Sequence, residues 1–183
     1  MGNKILLISD IAKVKGGKRL PKGVRLQKER NSHPYIRVKD FGPRTLELDD
    51  SFEYVDSVTQ KLISQYTVNE GDVLLSIVGT IGLVGIVGRS LDQANLTENC
   101  VKIFGLDSVD SKFLYYYLVS SYGQREISNR TVGAVQAKLP IKNIKSMPVY
   151  FPSRGVRERI VSVLSSLDTK IEINNRINDY LAA

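Results

Sequence analysis

The sequence predicts an α+β fold: a globular body with a twisted, largely antiparallel sheet and flanking helices, followed by a long C-terminal helix. Three stretches carry that prediction. Between Asn69 and Phe104, two apolar runs of strand length, Val73 to Val78 and Leu83 to Val87, are split by Gly79, Thr80 and Gly82. A third run, Cys100 to Phe104, follows a polar loop, which reads as strand, bend, strand, loop, strand at the centre of a sheet. The segment SKFLYYYLVSSYG sets Phe113, Leu114, Tyr117 and Leu118 on one helical face. From Arg154 onward Val156, Ile160, Val163, Leu164, Leu167, Ile171, Asn174, Ile177, Asn178 and Leu181 recur at three- and four-residue steps, an amphipathic helix of about seven turns.

In chain order, Ser9 is expected to cap a short helix over DIAKV that ends at Gly16 and Gly17. GGKRLPKGVRLQKERNSHP, polar, basic and broken by Gly and Pro, is expected to be a long surface loop, and such loops usually carry function. His33, the sole histidine, precedes Pro34 and is expected in a turn or against a base. Tyr35 to Phe41 alternates apolar and basic residues, a strand turning Arg37 and Lys39 away from the core. Glu47 to Asp56 is acidic and should face away from any polyanion; Asp56 or Ser57 should cap a helix through Ser64.

Beyond Phe104, Asp110 or Ser111 should cap the tyrosine-rich helix, Gln124 to Arg130 should form another, and TVGAVQAKLP reads as a loop into a short strand. Pro148 and Pro152 should bracket an edge strand. These elements divide the chain into a body over 1–152 and a helix over 153–183. The stripe runs to Ala183 without a Gly cap, as expected of a fragment, or a short natural version, of something longer. Asn174 on it is a residue type that sets register in a coiled coil.

Several classes fall away. The glycines at 79, 82, 85 and 88 recur every third residue inside strand sequence and match neither a dinucleotide fingerprint nor a phosphate loop. Bends and close backbone approach explain them. No nucleophile elbow, zincin motif or Cys/His zinc spacing is present, so no catalytic residue, metal or cofactor is expected. Cys100 is the single cysteine, which leaves no internal disulfide, suits the cytoplasm and reads as a buried, inert thiol. No apolar run approaches the ~20 residues of a membrane span and no leader pattern marks the amino terminus, so no membrane partner is expected.

Charge supplies the positive signal. Met1 to Thr45 holds twelve Lys or Arg against three acids, whereas the remainder holds 14 against 16, so the net +7 is a local excess at the amino end. A local excess of this sign attracts a polyanion, nucleic acid first, by Coulomb attraction and counterion release.

KVKGGKRLPKG, YIRVKDF, GDVLLSIVGTIGLVGIV, VDSKFLYYYL, GAVQAKLPIKNIKSMPVYFP and RERIVSVLSSLDTKIEINNRINDYL, in that order, resemble the specificity subunit of type I restriction-modification systems. The resemblance implies a target recognition domain that reads one half of a bipartite double-stranded DNA site. It also implies the start of a spacer helix, with methyltransferase (M) subunits, and through them the restriction (R) subunit, as partners. The chain matches one half of a full subunit: either a natural half-subunit, for which a homodimer through the helix is a further expectation, or a piece cut from a longer chain. On the charge pattern and the resemblance together, Lys15, Lys18, Arg19, Lys22, Arg30, Arg37, Lys39 and Arg44 are assigned to the DNA face. Thr80, Arg130, Gln136 and Lys138 are second-rank candidates on loops. Ile160, Val163, Leu164, Leu167, Ile171, Asn174, Ile177 and Leu181 are assigned to the helix interface. The rival reading is a scaffold or inhibitor that uses that helix alone and touches no DNA.

Overall fold

The computed structural model describes residues 4–42 and 44–182. Its centre is a five-stranded sheet in the order β2 (Lys13–Gly16), β9 (Cys100–Phe104), β6 (Val73–Ser76), β7 (Val84–Val87), β4 (Thr45–Leu46), antiparallel except for the β4–β7 pair. The expected sheet centre is therefore observed, with β6 between β9 and β7. Its apolar runs do not alternate with polar residues because both faces are covered. Val73 and Leu75 of β6 enter one core with Val101 and Ile103, while Leu74 enters a second with Cys100 and Val87.

The first core is roofed by helices. α3 (Ser108–Val119), α4 (Ser121–Arg130) and α5 (Ile141–Lys145) contribute Phe113, Leu114, Leu118, Ile127 and Ile144. The second core is closed by a three-stranded sheet in the order β5 (Glu53–Tyr54), β3 (Pro34–Ile36), β8 (Asn95–Leu96). β1 (Lys4–Leu7) pairs with β10 (Pro148–Phe151), the expected edge strand, and α1 (Ile8–Ile11) and α2 (Ser57–Ile63) complete the body. Asp56 caps α2, as expected, by accepting from the N–H groups of Val58 and Thr59.

Four local expectations differ from the structure. The DIAKV helix stops at Ile11, and Lys13 to Gly16 is a strand whose Val14 lies opposite Ile103. The free edge of β9 needs a hydrogen-bonding partner, and tertiary pairing overrides local propensity. YIRVKDF is extended only to Ile36, because the Asp40 carboxylate accepts from the Arg37 N–H at 2.7 Å and closes a 3-10 turn over Val38–Asp40. The cap of α3 is Asp107, three residues before the nearer expected position: Gly105 turns the chain at φ 87°, and Asp107 is the first side chain able to accept from Val109 and Asp110 N–H, both at 2.9 Å. The acidic run does not stand apart from the basic segment, since the antiparallel β3–β5 pair sets Glu53 opposite Tyr35 and within reach of Arg37 and Lys39.

α6 (Arg154–Ala182) is the expected long helix, 29 residues in one piece. Its first half lies along α3. Val161 is buried in the first core, with Ile160 packed against it, and the Tyr116 hydroxyl donates to Asp168 at 2.7 Å.

Candidate nucleic-acid interface

One end of the five-stranded sheet gathers the ends of several segments. The N–H of Gly17 donates to Cys100 O at 3.0 Å, and that of Lys18 donates to Leu96 O at 2.8 Å. The basic segment therefore leaves β2 alongside residues 97–99. The N–H of Ile77 in turn donates to Asn99 O at 2.8 Å, which ties the bend after β6 to the same place. Val132 and Lys138 exchange backbone hydrogen bonds of 2.8 and 2.9 Å across a loop that Leu139 N–H fastens to Ile77 O at 2.9 Å. Lys18, Arg19, Thr80, Gln136 and Lys138, far apart in the chain, thus share one rim. Gly17 makes it possible, because a Cβ there would fall on the carbonyl oxygens of Thr97 and Leu96.

From Gly17 to His33 the chain has no regular element beyond a single bridge between Gln27 and Tyr54, so its charges are held up by turns rather than packed. Lys15 Nζ donates to Gln65 O at 2.7 Å and sits 5.1 Å from the centre of the Tyr66 ring, with Lys18 Nζ at 5.6 Å from the same ring. One aromatic ring thus gathers two ammonium groups. Arg19 Nε meets Glu98 Oε1 at 2.7 Å. The hydrogen bond and charge of Glu98 raise the Arg19 pKa. Burial pushes the Glu98 pKa up, but the hydrogen bonds from Arg19, its own N–H and Thr97 outweigh it and hold the carboxyl below its ordinary range. Lys22 and Arg30 are exposed and pair with no carboxylate among the described residues.

The remaining candidates are placed differently. Arg37 is held by Glu53 and Asp40, and Lys39 Nζ lies 3.3 Å from Glu53 Oε2. Arg130 follows α4 toward the rim but pairs with Glu126. Arg44 leaves the rim altogether: its Nη1 reaches Asp168 Oδ2 and the Tyr116 hydroxyl, each at 2.8 Å, and fastens β4 to α6. Tyr66 and Glu98 complete the rim without having been singled out by the sequence, in which one looks like a helix-end tyrosine and the other like a loop acid. Cys100 is buried, and burial pushes its thiol up to about 12, far from the thiolate a nucleophile needs.

A basic rim of strand-end loops, carried on a sheet with one long projecting helix, can be set against known proteins. The family model for the type I restriction modification DNA specificity domain matches residues 2–183. The chain belongs to that family. The MjaVIII type I restriction enzyme specificity subunit of Methanocaldococcus jannaschii is 24% identical to this specificity domain over 82% of the chain and 39% of its own length. The HsdS subunit from Thermoanaerobacter tengcongensis superposes with a TM-score of 0.69 at 18% identity, covering 96% of this chain and 40% of that one. A chain from a structure on complex assembly and conformational transition of the type I R-M system superposes with a TM-score of 0.73 at 18% identity, covering 98% and 42%. These two likenesses show the fold. The specificity domain spans about two fifths of the length of the relatives it matches.

The helix of this specificity domain presents two unlike sides. Arg157, Val161, Leu164, Ser165 and Asp168 turn toward the body, with Ile160 half-buried against the first core. Val163, Leu167, Ile171, Ile177 and Leu181 are each at least half exposed, and Asn174 lies exposed among them. The assigned helix interface therefore splits: Ile160 and Leu164 lean on the body, and the other six form an open stripe.

Proposed function

We propose that this chain is a sequence-reading half of a type I specificity subunit. Its rim binds one half of a bipartite double-stranded DNA site, and it carries no catalytic step of its own. The open stripe of α6 pairs with a second such helix, in a two-fold dimer of this chain, and α6 ties the reading body to methyltransferase subunits and through them to the restriction subunit. The setting is the cytoplasm. The observation that carries this reading is the convergence of Lys18, Arg19, Thr80, Gln136 and Lys138 on one rim, with exposed Lys22 and Arg30 on the segment that leaves it. Cations alone give register on a phosphate backbone; polar loop side chains beside them supply the groups that read base edges.

The test is a salt series of DNA binding by the full chain, alone and with its methyltransferase subunit. Replacing Lys18 and Lys22 together by alanine should weaken binding and flatten the logarithmic salt slope by about 0.9 per lost phosphate contact. Glu47→Ala, on the β4 side of the sheet, should leave both unchanged. Parent and double variant binding alike at every salt concentration would remove DNA from the rim and leave the helix stripe as the interface of a protein-interaction module. Sedimentation checks the dimer: two-fold pairing requires a species of twice the mass at micromolar concentration, and an interrupted palindrome as the selected site.

A further inference from the structure

The proposed function requires both phosphate contacts and base contacts, and one side chain of the rim is mounted unlike the others. Lys22, Arg25, Lys28 and Arg30 are exposed and pair with no carboxylate among the described residues. Arg19 is also exposed, at 80% of its side chain, yet its Nε is fastened to Glu98 Oε1 at 2.7 Å. Glu98 is itself held, since its Oε2 accepts from Thr97 Oγ1 at 3.0 Å, and the Thr97 N–H donates to Ile36 O at 3.0 Å at the end of the β3–β8 pair. The guanidinium therefore stands on a rigid base while its two terminal nitrogens make no hydrogen bond among the described residues.

A phosphate contact needs none of this. A point charge on a flexible stem suffices, and a carboxylate beside it repels the phosphate. Reading a base needs the reverse: a planar fork fixed in orientation, with two N–H groups aimed in parallel at the O6 and N7 acceptors of guanine. We infer that Arg19 reads a guanine of the half-site through Nη1 and Nη2, and that Glu98 is a positioning residue that holds the fork by its Nε and disfavours phosphate in its place. The inference rests on the proposed function and makes it specific to one base.

The experiment uses the full chain and the half-site recovered by selection from random duplexes, with each guanine replaced in turn by 7-deazaguanine, which lacks N7. At one guanine the parent should lose about ten-fold in affinity, within the range of a bidentate base contact. Arg19→Ala should bind the natural and substituted duplexes equally, and Arg19→Lys, whose ammonium can still donate to guanine but lacks the fixed fork, should keep the parent salt slope with a smaller loss on substitution than the parent. Glu98→Gln should still bind unselected DNA while its preference for the selected site falls. Lys22→Ala, a phosphate contact, should weaken both duplexes alike. Matching thermal melts exclude unfolding as the cause, as expected for an exposed side chain.

If Arg19→Ala stays sensitive at every guanine the parent senses and loses affinity for all duplexes equally, Arg19 is a phosphate contact and the inference is overturned. A parent chain that binds DNA but selects no sequence overturns it as well and removes the sequence-reading function with it.

Discussion

Arginines at two places in this molecule do opposite work. At the root of α6, Arg157 is buried, its Nε 2.7 Å from Asp110 Oδ1, its Nη1 on the carbonyl of Pro152, and its guanidinium 4.0 Å from the centre of the Phe151 ring. Arg154 reaches Asp107 and Glu158, and Arg44 reaches Asp168. Each of these three arginines has its carboxylate, and together they make the root a joint between helix and body. At the rim, Lys15 and Lys18 share an aromatic ring, Lys22 and Arg30 stand exposed with no carboxylate among the described residues, and Arg19 meets Glu98. A count of basic residues says how much charge a chain carries. Which of it faces a ligand is decided by where the fold places the carboxylates.

The contrast is broken or sharpened by variants of decreasing effect. Arg157→Ala should be the largest, because it leaves the Pro152 carbonyl without its buried donor and Asp110 with only the longer contact to Arg154, at 3.5 Å. A loss of about 3 kcal/mol is expected, or a fall in Tm of about 10 °C for a chain of this size, read by urea and thermal unfolding. A loss of the same size on Arg19→Ala would erase the distinction between joint and rim. Gly17→Ala should come next, at about 1–3 kcal/mol, since its methyl group collides with backbone carbonyls that cannot give way. Unlike the root variants, it should also weaken DNA binding, because it lifts the basic segment from the sheet end. Tyr116→Phe removes a hydroxyl that donates to Asp168 and accepts from Arg44, and should cost about 1 kcal/mol with DNA affinity unchanged.

The sequence shows the body of this fold more clearly than its site, for a physical reason. Strands buried on both faces are continuous apolar runs, and the long helix writes its period over 29 residues, so β6, β7, β9 and α6 are legible from local sequence. β2 is not, because Lys13 to Gly16 becomes a strand only to satisfy the edge of β9 far along the chain. β1 and α5 carry too short a pattern to stand out. At the site, the basic segment is legible as a loop, but its partition is not. Nothing in RLPKG shows that Arg19 meets Glu98, and nothing in PRTLE shows that Arg44 turns to Asp168, because both pairings span more than seventy residues. Long-range carboxylates are the information that local composition lacks.

The smallest expected effect separates charge from geometry at the root. Asp107 caps α3 and also meets Arg154. The hydrogen bond from the Asp110 N–H comes first among the causes that hold its carboxyl below the ordinary range; slight burial opposes it, and Arg154 adds to the lowering. A depressed folded-state pKa means that the unfolded chain binds the proton more readily. The stability it contributes is therefore present above the ordinary aspartate pKa, about 3.9, and is lost as pH falls through the lower folded value. An asparagine in this place would still accept from the same N–H groups while lacking the charge. Asp107→Asn should then be slightly less stable than the parent at pH 7 and equal to it in acid below the folded value, where the parent carboxyl is protonated. If urea unfolding shows the same deficit under both conditions, the cap geometry and not the ion pair was lost. The root would then owe its firmness at this position to hydrogen bonding alone, and the pairing of charges that sets it apart from the rim would rest on Arg157 and Arg44.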